Sequence, residues 1–143
     1  MKKQILTSAL LLLLSLVMIF SFVACAKKVP AEGIWESATY RADKTFGKGD
    51  KTITVKVEAE DQSVTFTIKS NAATVGAALQ ENDLIAGEET QYGLYVKTVN
   101  GMLADYNVDQ TYWAFYKGGV YMMTGVDATP LVDGDAYELV RTK

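Results

Sequence analysis

The sequence predicts an α+β fold, and three observations carry that reading. Apolar and polar residues alternate strictly over two neighbouring stretches, the alternation gives way once to helical spacing, and strand patterns then resume towards the end of the chain. The resulting order is ββα followed by three to four strands. A single short helix on one face of a small mixed sheet makes a β-grasp-like arrangement.

The elements follow in order. Ile53, Val55, Val57 and Ala59 alternate with Thr54, Lys56 and Glu58, giving one apolar and one wet face. Glu60-Asp61-Gln62 turns the chain, and Val64, Phe66 and Ile68 alternate with Thr65, Thr67 and Lys69 to complete a hairpin. Val75, Ala78, Leu79 and Asn82 then fall at helical spacing behind Thr74, an N-cap candidate, so a short helix runs to about Glu81. Glu88-Glu89 reads as an exposed loop. Leu94, Val96 and Thr98 alternate with Tyr95, Lys97 and Val99 and end in Asn100-Gly101, a strong hairpin signal. Tyr112 to Tyr116 is an aromatic strand stopped by Gly118-Gly119. Val120 to Val126 and Tyr137 to Val140 are further strand candidates, joined by a loop holding Pro130 and Asp133-Gly134-Asp135.

The N-terminal end carries an address. Lys2 and Lys3 precede an apolar run from Ile5 to Val23, and the small residue Ala24 stands directly before Cys25. That is the layout of a secretory signal peptide, and a cysteine just after the cut matches the bacterial lipobox, with Phe22 where Leu is usual. Residues 1–24 are therefore expected to be a lipoprotein signal peptide, 25–50 a lipid anchor at Cys25 with a tether and entry segment, and 51–143 the domain. The competing reading is an uncleaved anchor, since the run could nearly span about 30 Å of hydrocarbon. Either way the remainder is expected outside the cytoplasmic membrane; on the lipobox reading it is lipid-anchored to the bacterial cell membrane on its extracytoplasmic side. Lys27 and Lys28 would meet anionic headgroups. Pro30 and Gly33 argue against an early regular element, Trp35, Tyr40 and Phe46 are too apolar for a solvated linker and should pack on the domain, and Gly47 to Asp50 reads as a turn.

Composition excludes much chemistry. The 143 residues include 14 Lys plus Arg, 17 Asp plus Glu, one Cys and no His. There is no Ser-His-Asp triad, no Cys–His pair, no His-ligated metal and no intrachain disulfide. A net charge of −3, falling to −5 once residues 1–24 and their two lysines are removed, disfavours nucleic acid as a partner. Asp127, Asp133 and Asp135 could bind a hard cation or do acid–base work, but they lack the EF-hand spacing, and Asp-Gly-Asp before a strand is usually turn chemistry. No catalytic residues, metal ligands or cofactor are expected, and the protein reads as non-enzymatic.

The aromatics are the richer feature. If Trp113 and Phe115 face the core, alternation places Tyr112 and Tyr116 in a stripe on the outer face. Tyrosine offers rigid apolar area with a polar tip, which suits a flat polar ligand or a protein patch. The candidate ligand-binding residues are Tyr95, Tyr112, Tyr116, Tyr121 and Met122. Plain cross-strand packing is the competing reading.

A longer series of motifs carries a family resemblance from about Trp35 to Lys143. It comprises Trp35-Glu36-Ser37-Ala38-Thr39-Tyr40 with Phe46-Gly47-Lys48-Gly49, Val75-Gly76-Ala77-Ala78-Leu79, Tyr92-Gly93-Leu94-Tyr95-Val96 with Val99-Asn100-Gly101, and Tyr112-Trp113-Ala114-Phe115-Tyr116. Gly125-Val126-Asp127, Pro130-Leu131 and Asp133-Gly134-Asp135-Ala136-Tyr137-Glu138-Leu139 close it. The chain resembles bacterial surface lipoproteins of unknown function whose domain is similar to the C-terminal β-domain of transcobalamin and gastric intrinsic factor. The resemblance implies a small mixed sheet with one helix, no enzymatic activity, and cobalamin or a related compound as ligand. With no His in the chain, a cobalamin would be held without a protein imidazole. The expected function is a membrane-tethered, extracytoplasmic ligand-binding domain. The alternative is a cell-surface interaction module that docks another envelope protein through its Tyr-rich face.

Overall fold

A computed structural model describes residues 27–143. The expected signal peptide and the lipidation at Cys25 lie outside the described residues. Within them the fold is β-rich α+β, with two short α-helices and two sheets. No helix among the described residues is long and apolar enough to cross a membrane.

The predicted hairpin forms from β2 (Lys51–Ala59) and β3 (Gln62–Ser70), paired antiparallel through the two-residue turn Glu60-Asp61. Val55, Val57, Phe66 and Ile68 are buried on one face, as the period of two requires. Next comes α1 (Val75–Gln80), capped by the Thr74 hydroxyl, which accepts from the Ala77 N–H at 3.2 Å. Its buried residues Val75, Ala78 and Leu79 join the core.

The later strands depart from expectation in number. β4 (Ile85–Thr90), β5 (Gly93–Val99) and β6 (Met102–Leu103) form a separate three-stranded antiparallel sheet. A second helix, α2 (Tyr106–Asp109), precedes β7 (Tyr112–Lys117), β8 (Val120–Tyr121) and β9 (Ala136–Thr142). Six strands thus follow α1, where three to four were expected, and the single helix becomes two. The Glu88-Glu89 loop is strand β4: its residues from Ala86 on are exposed, so an edge strand carries no apolar alternation to read. The strand expected over Val120 to Val126 ends early: the Met122 N–H still donates to the Phe115 carbonyl at 2.9 Å, a last bond of the β7–β8 ladder, and the chain then bends away at Met123-Thr124. Val126–Ala128 is a 3-10 turn.

The large sheet has the order β1-β3-β2-β9-β7-β8, where β1 (Lys44–Gly47) lies parallel to β3, and β9 lies parallel to β2. Both β1 and the 3-10 turn Gly33–Glu36 fall in the tether and entry segment, which was expected to pack on the domain through Trp35, Tyr40 and Phe46 but to hold no early regular element. That segment is built into the body. Val29 is buried, and Trp35 is 1% exposed with its indole N–H donating to the Ala59 carbonyl at 2.8 Å. The Asn100-Gly101 turn pins the same segment: the Asn100 carboxamide accepts from the Tyr40 N–H at 2.9 Å and donates to the Tyr40 carbonyl at 2.7 Å.

Candidate ligand-binding cleft

The strand β7 alternates in the predicted sense. Trp113 and Phe115 point to the core face, in register with Arg141 and Leu139 of β9, while Tyr112 and Tyr116 take the outer face. Phe115 lies stacked on Tyr137, with ring centroids 5.5 Å apart and planes 15° from parallel. The Trp113 indole N–H donates to the Lys97 carbonyl at 3.2 Å, which ties the large sheet to β5 of the small one.

Between these two sheets the core does not close. A cleft of about 220 Å³ opens there, floored by Trp113, Phe115 and Leu139 and walled by Leu94 and Val96 on one side. The run from Met122 to Val126 makes the other wall. Its rim is apolar and accessible: Tyr95 is 41%, Tyr121 51% and Met123 91% exposed. Larger hollows, of about 280, 290, 320 and 400 Å³, lie elsewhere, but charged groups such as Asp43, Asp61, Glu58 and Glu60 recur in their linings. The cleft beside Trp113 is where aromatic faces and a thioether converge on open space, the usual character of a small-molecule site.

One carboxylate sets the outer wall. Asp127 Oδ2 accepts from the Leu94 N–H at 3.0 Å, joining the 3-10 turn to β5. The same side chain rests on α1 at Gly76, where a Cβ would sit 2.0 Å from Asp127 Oδ1. Glycine is required there by contact rather than by backbone conformation.

The other acids are engaged in the framework. Asp133 Oδ1 accepts from the Thr52 N–H at 2.6 Å. Asp135 pairs with Lys117 at 2.8 Å and accepts from the Tyr137 hydroxyl at 2.9 Å. The Lys117 hydrogen bond, aided by that from Tyr137, holds the Asp135 carboxyl below its ordinary range. Burial, helped by Asp135, pushes the Tyr137 phenol up to about 12. Among the described residues no group of three or more His, Cys, Asp or Glu is placed to hold a metal ion.

The structure divides the candidate residues. Tyr95, Tyr121 and Met122 line the cleft; Tyr112 and Tyr116 lie on the opposite face of the sheet. Tyr121 links the two groups, its ring edge-on to Tyr116 at 5.6 Å. Sequence reasoning did not single out Trp113, Phe115, Leu94 or Val96 for the cleft. Period-two spacing assigns all four to the core, and only the gap between sheets turns that assignment into a site.

Comparison with known proteins places this geometry. Residues 72–138 match the model of a domain of unknown function, DUF4430. A crystal structure from Ruminococcus gnavus ATCC 29149, described as that of "a putative metal binding protein", is 36% identical with a TM-score of 0.62, over 66% of this chain and 98% of that one. Haptocorrin in complex with Cbi is 22% identical with a TM-score of 0.54, over 68% of this chain and 26% of that one, a likeness of fold. No curated protein matches the chain.

Proposed function

The chain belongs to the family of the Ruminococcus gnavus protein, and from that premise we propose that it is a non-enzymatic ligand-binding domain, tethered by Cys25 to the extracytoplasmic side of the bacterial membrane. The cleft between the sheets takes one edge of a flat polar ligand of the cobalamin class. The observation that carries this reading is the open floor of Trp113 and Phe115 under a rim of Tyr95, Tyr121 and Met122. The likeness of fold to haptocorrin, which is described with Cbi bound, supports the ligand class. The description of the Ruminococcus relative raises a metal, but Asp127, Asp133 and Asp135 each serve a backbone amide, a lysine or a tyrosine here. We also read the order β3-β2-β9-β7, with β2 and β9 parallel, as a β-grasp-like sheet to which β1, β8 and the small sheet are added.

A cleft of about 220 Å³ covers only part of a corrinoid, so little surface offsets the entropy of association. Affinity should be modest: a Kd of about 100 μM, or about −5.5 kcal/mol. Isothermal titration of the chain from Ala26 to Lys143 with cobalamin and cobinamide tests it. Heat that saturates in this range and is lost in Met122→Ala supports the reading; no heat at several hundred micromolar removes the corrinoid.

The outer face favours a second reading. Tyr112, Tyr116 and Tyr121 form a half-exposed aromatic strip there, suited to docking an envelope protein. Replacing Tyr112 and Tyr116 by Ala separates the two: the change should spare corrinoid binding and abolish capture of an envelope partner.

A further inference from the structure

We infer that the β1 edge of the large sheet rests on an anionic lipid surface, which holds the cleft at the far edge of the molecule, turned away from the bilayer. The inference builds on the reading of Cys25 as the lipid anchor. The folded body begins almost at once after that residue. Val29 is 5% exposed, and its N–H donates to the Arg41 carbonyl at 2.7 Å. The four residue-to-residue steps from Cys25 to Val29 reach at most about 14 Å when fully extended. So short a leash presses one side of the body to the membrane.

Charge selects the same side. Between residues 27 and 48 there are five Lys or Arg (Lys27, Lys28, Arg41, Lys44 and Lys48) against three acids, whereas 49–143 holds seven against fourteen. An approach led by residues 49–143 would bring the more acidic part of the chain towards anionic headgroups. Lys27, Lys28, Lys44 and Lys48 are exposed; Asp43 is exposed among them, with one carboxylate oxygen, Oδ1, accepting from the Thr65 N–H at 2.7 Å. The Lys44 ammonium sits 4.2 Å from the Tyr40 ring centroid, and Phe46 packs edge-on to Tyr40 at 5.1 Å. Half-buried aromatics topped by cations suit the headgroup layer, where one end is apolar and the other wet.

The sheet then measures the stand-off. β1 and β8 end the strand order, so five spacings of about 4.8 Å, or about 24 Å, separate the lipid-facing edge from the edge carrying Tyr121 and Met122. A ligand reaches the cleft from outside rather than from the bilayer.

Fluorophores on Thr45→Cys in β1 and on Val120→Cys in β8 test this in the full chain, reconstituted in vesicles that carry a nitroxide on the headgroup. In vesicles with about 30 per cent phosphatidylglycerol, the Thr45 label should be quenched about fivefold more than the Val120 label. Salt at about 0.5 M, or the pair Lys44→Glu and Lys48→Glu, should remove at least half of that difference. Equal quenching of the two labels overturns the inference. Mass spectrometry of the same material reads Cys25 separately. An acylated Cys25 with equal quenching defeats the orientation alone. An unacylated Cys25 with unequal quenching defeats the anchor and leaves the basic edge as the lipid contact, and one with equal quenching defeats both.

Discussion

Asn100 is fully buried in the left-handed conformation (φ 52°), and both ends of its carboxamide close on the backbone of Tyr40. Asparagine tolerates that conformation and offers one donor and one acceptor, so a single side chain forms the turn and fastens the entry segment. Asn100→Ala should cost about 2–4 kcal/mol, from two lost hydrogen bonds and a strained backbone. Asn100→Gly relieves the strain but not the bonds, so urea midpoints should order wild type, Gly, Ala; equal midpoints for the two variants would show that strain plays no part. Titration makes a second residue-scale prediction. Asp135 has a lowered pKa in the folded state, so its contribution to stability is present above the unfolded value of about 4 and fades as pH falls below it. Tyr137 is raised to about 12, so its contribution is complete below pH 10 and is lost as pH climbs between the two values. The melting difference between wild type and Lys117→Met should therefore be present at neutral pH and vanish in acid. A difference that persists unchanged in strong acid would contradict the assigned role.

At the scale of elements, legibility followed burial. The β2–β3 hairpin, α1 with its Thr74 cap and the strand β7 were all readable, because each buries one face and its period survives in the residue types. β4 and β1 were not, being edge strands whose side chains are largely exposed. Gly87 adds a reason for β4: the register shifts beside it, and a Cβ there would lie 1.8 Å from the Tyr95 carbonyl oxygen. The helix α1 reaches the cleft through Gly76 and Asp127. Gly76→Ala should displace the 3-10 turn, costing about 1–3 kcal/mol and lowering ligand affinity through the shifted wall. Thermal melts with the same titration check this; loss of stability with unchanged affinity would separate α1 from the cleft.

Across the whole molecule, the candidate site is a property of two sheets that meet at Trp113 and leave a gap beside it, and no local pattern announces that. The sequence made Tyr95, Tyr121 and Met122 visible as an aromatic and sulfur group of residues, but it also drew attention to Tyr112 and Tyr116 on the far face. The floor stayed hidden because Trp113 and Phe115 look like any buried strand residues until a gap is seen above them. The chain's two tryptophans permit a direct test, since Trp113 floors the cleft and Trp35 is sealed against Ala59. The measurement is the pair of indole N–H signals in a nitrogen-15 correlation spectrum during titration with cobinamide. The cleft assignment predicts that the Trp113 signal moves progressively while the Trp35 signal stays in place. A titration that leaves Trp113 unmoved, or that shifts the amides of Tyr112 and Tyr116 instead, would contradict it.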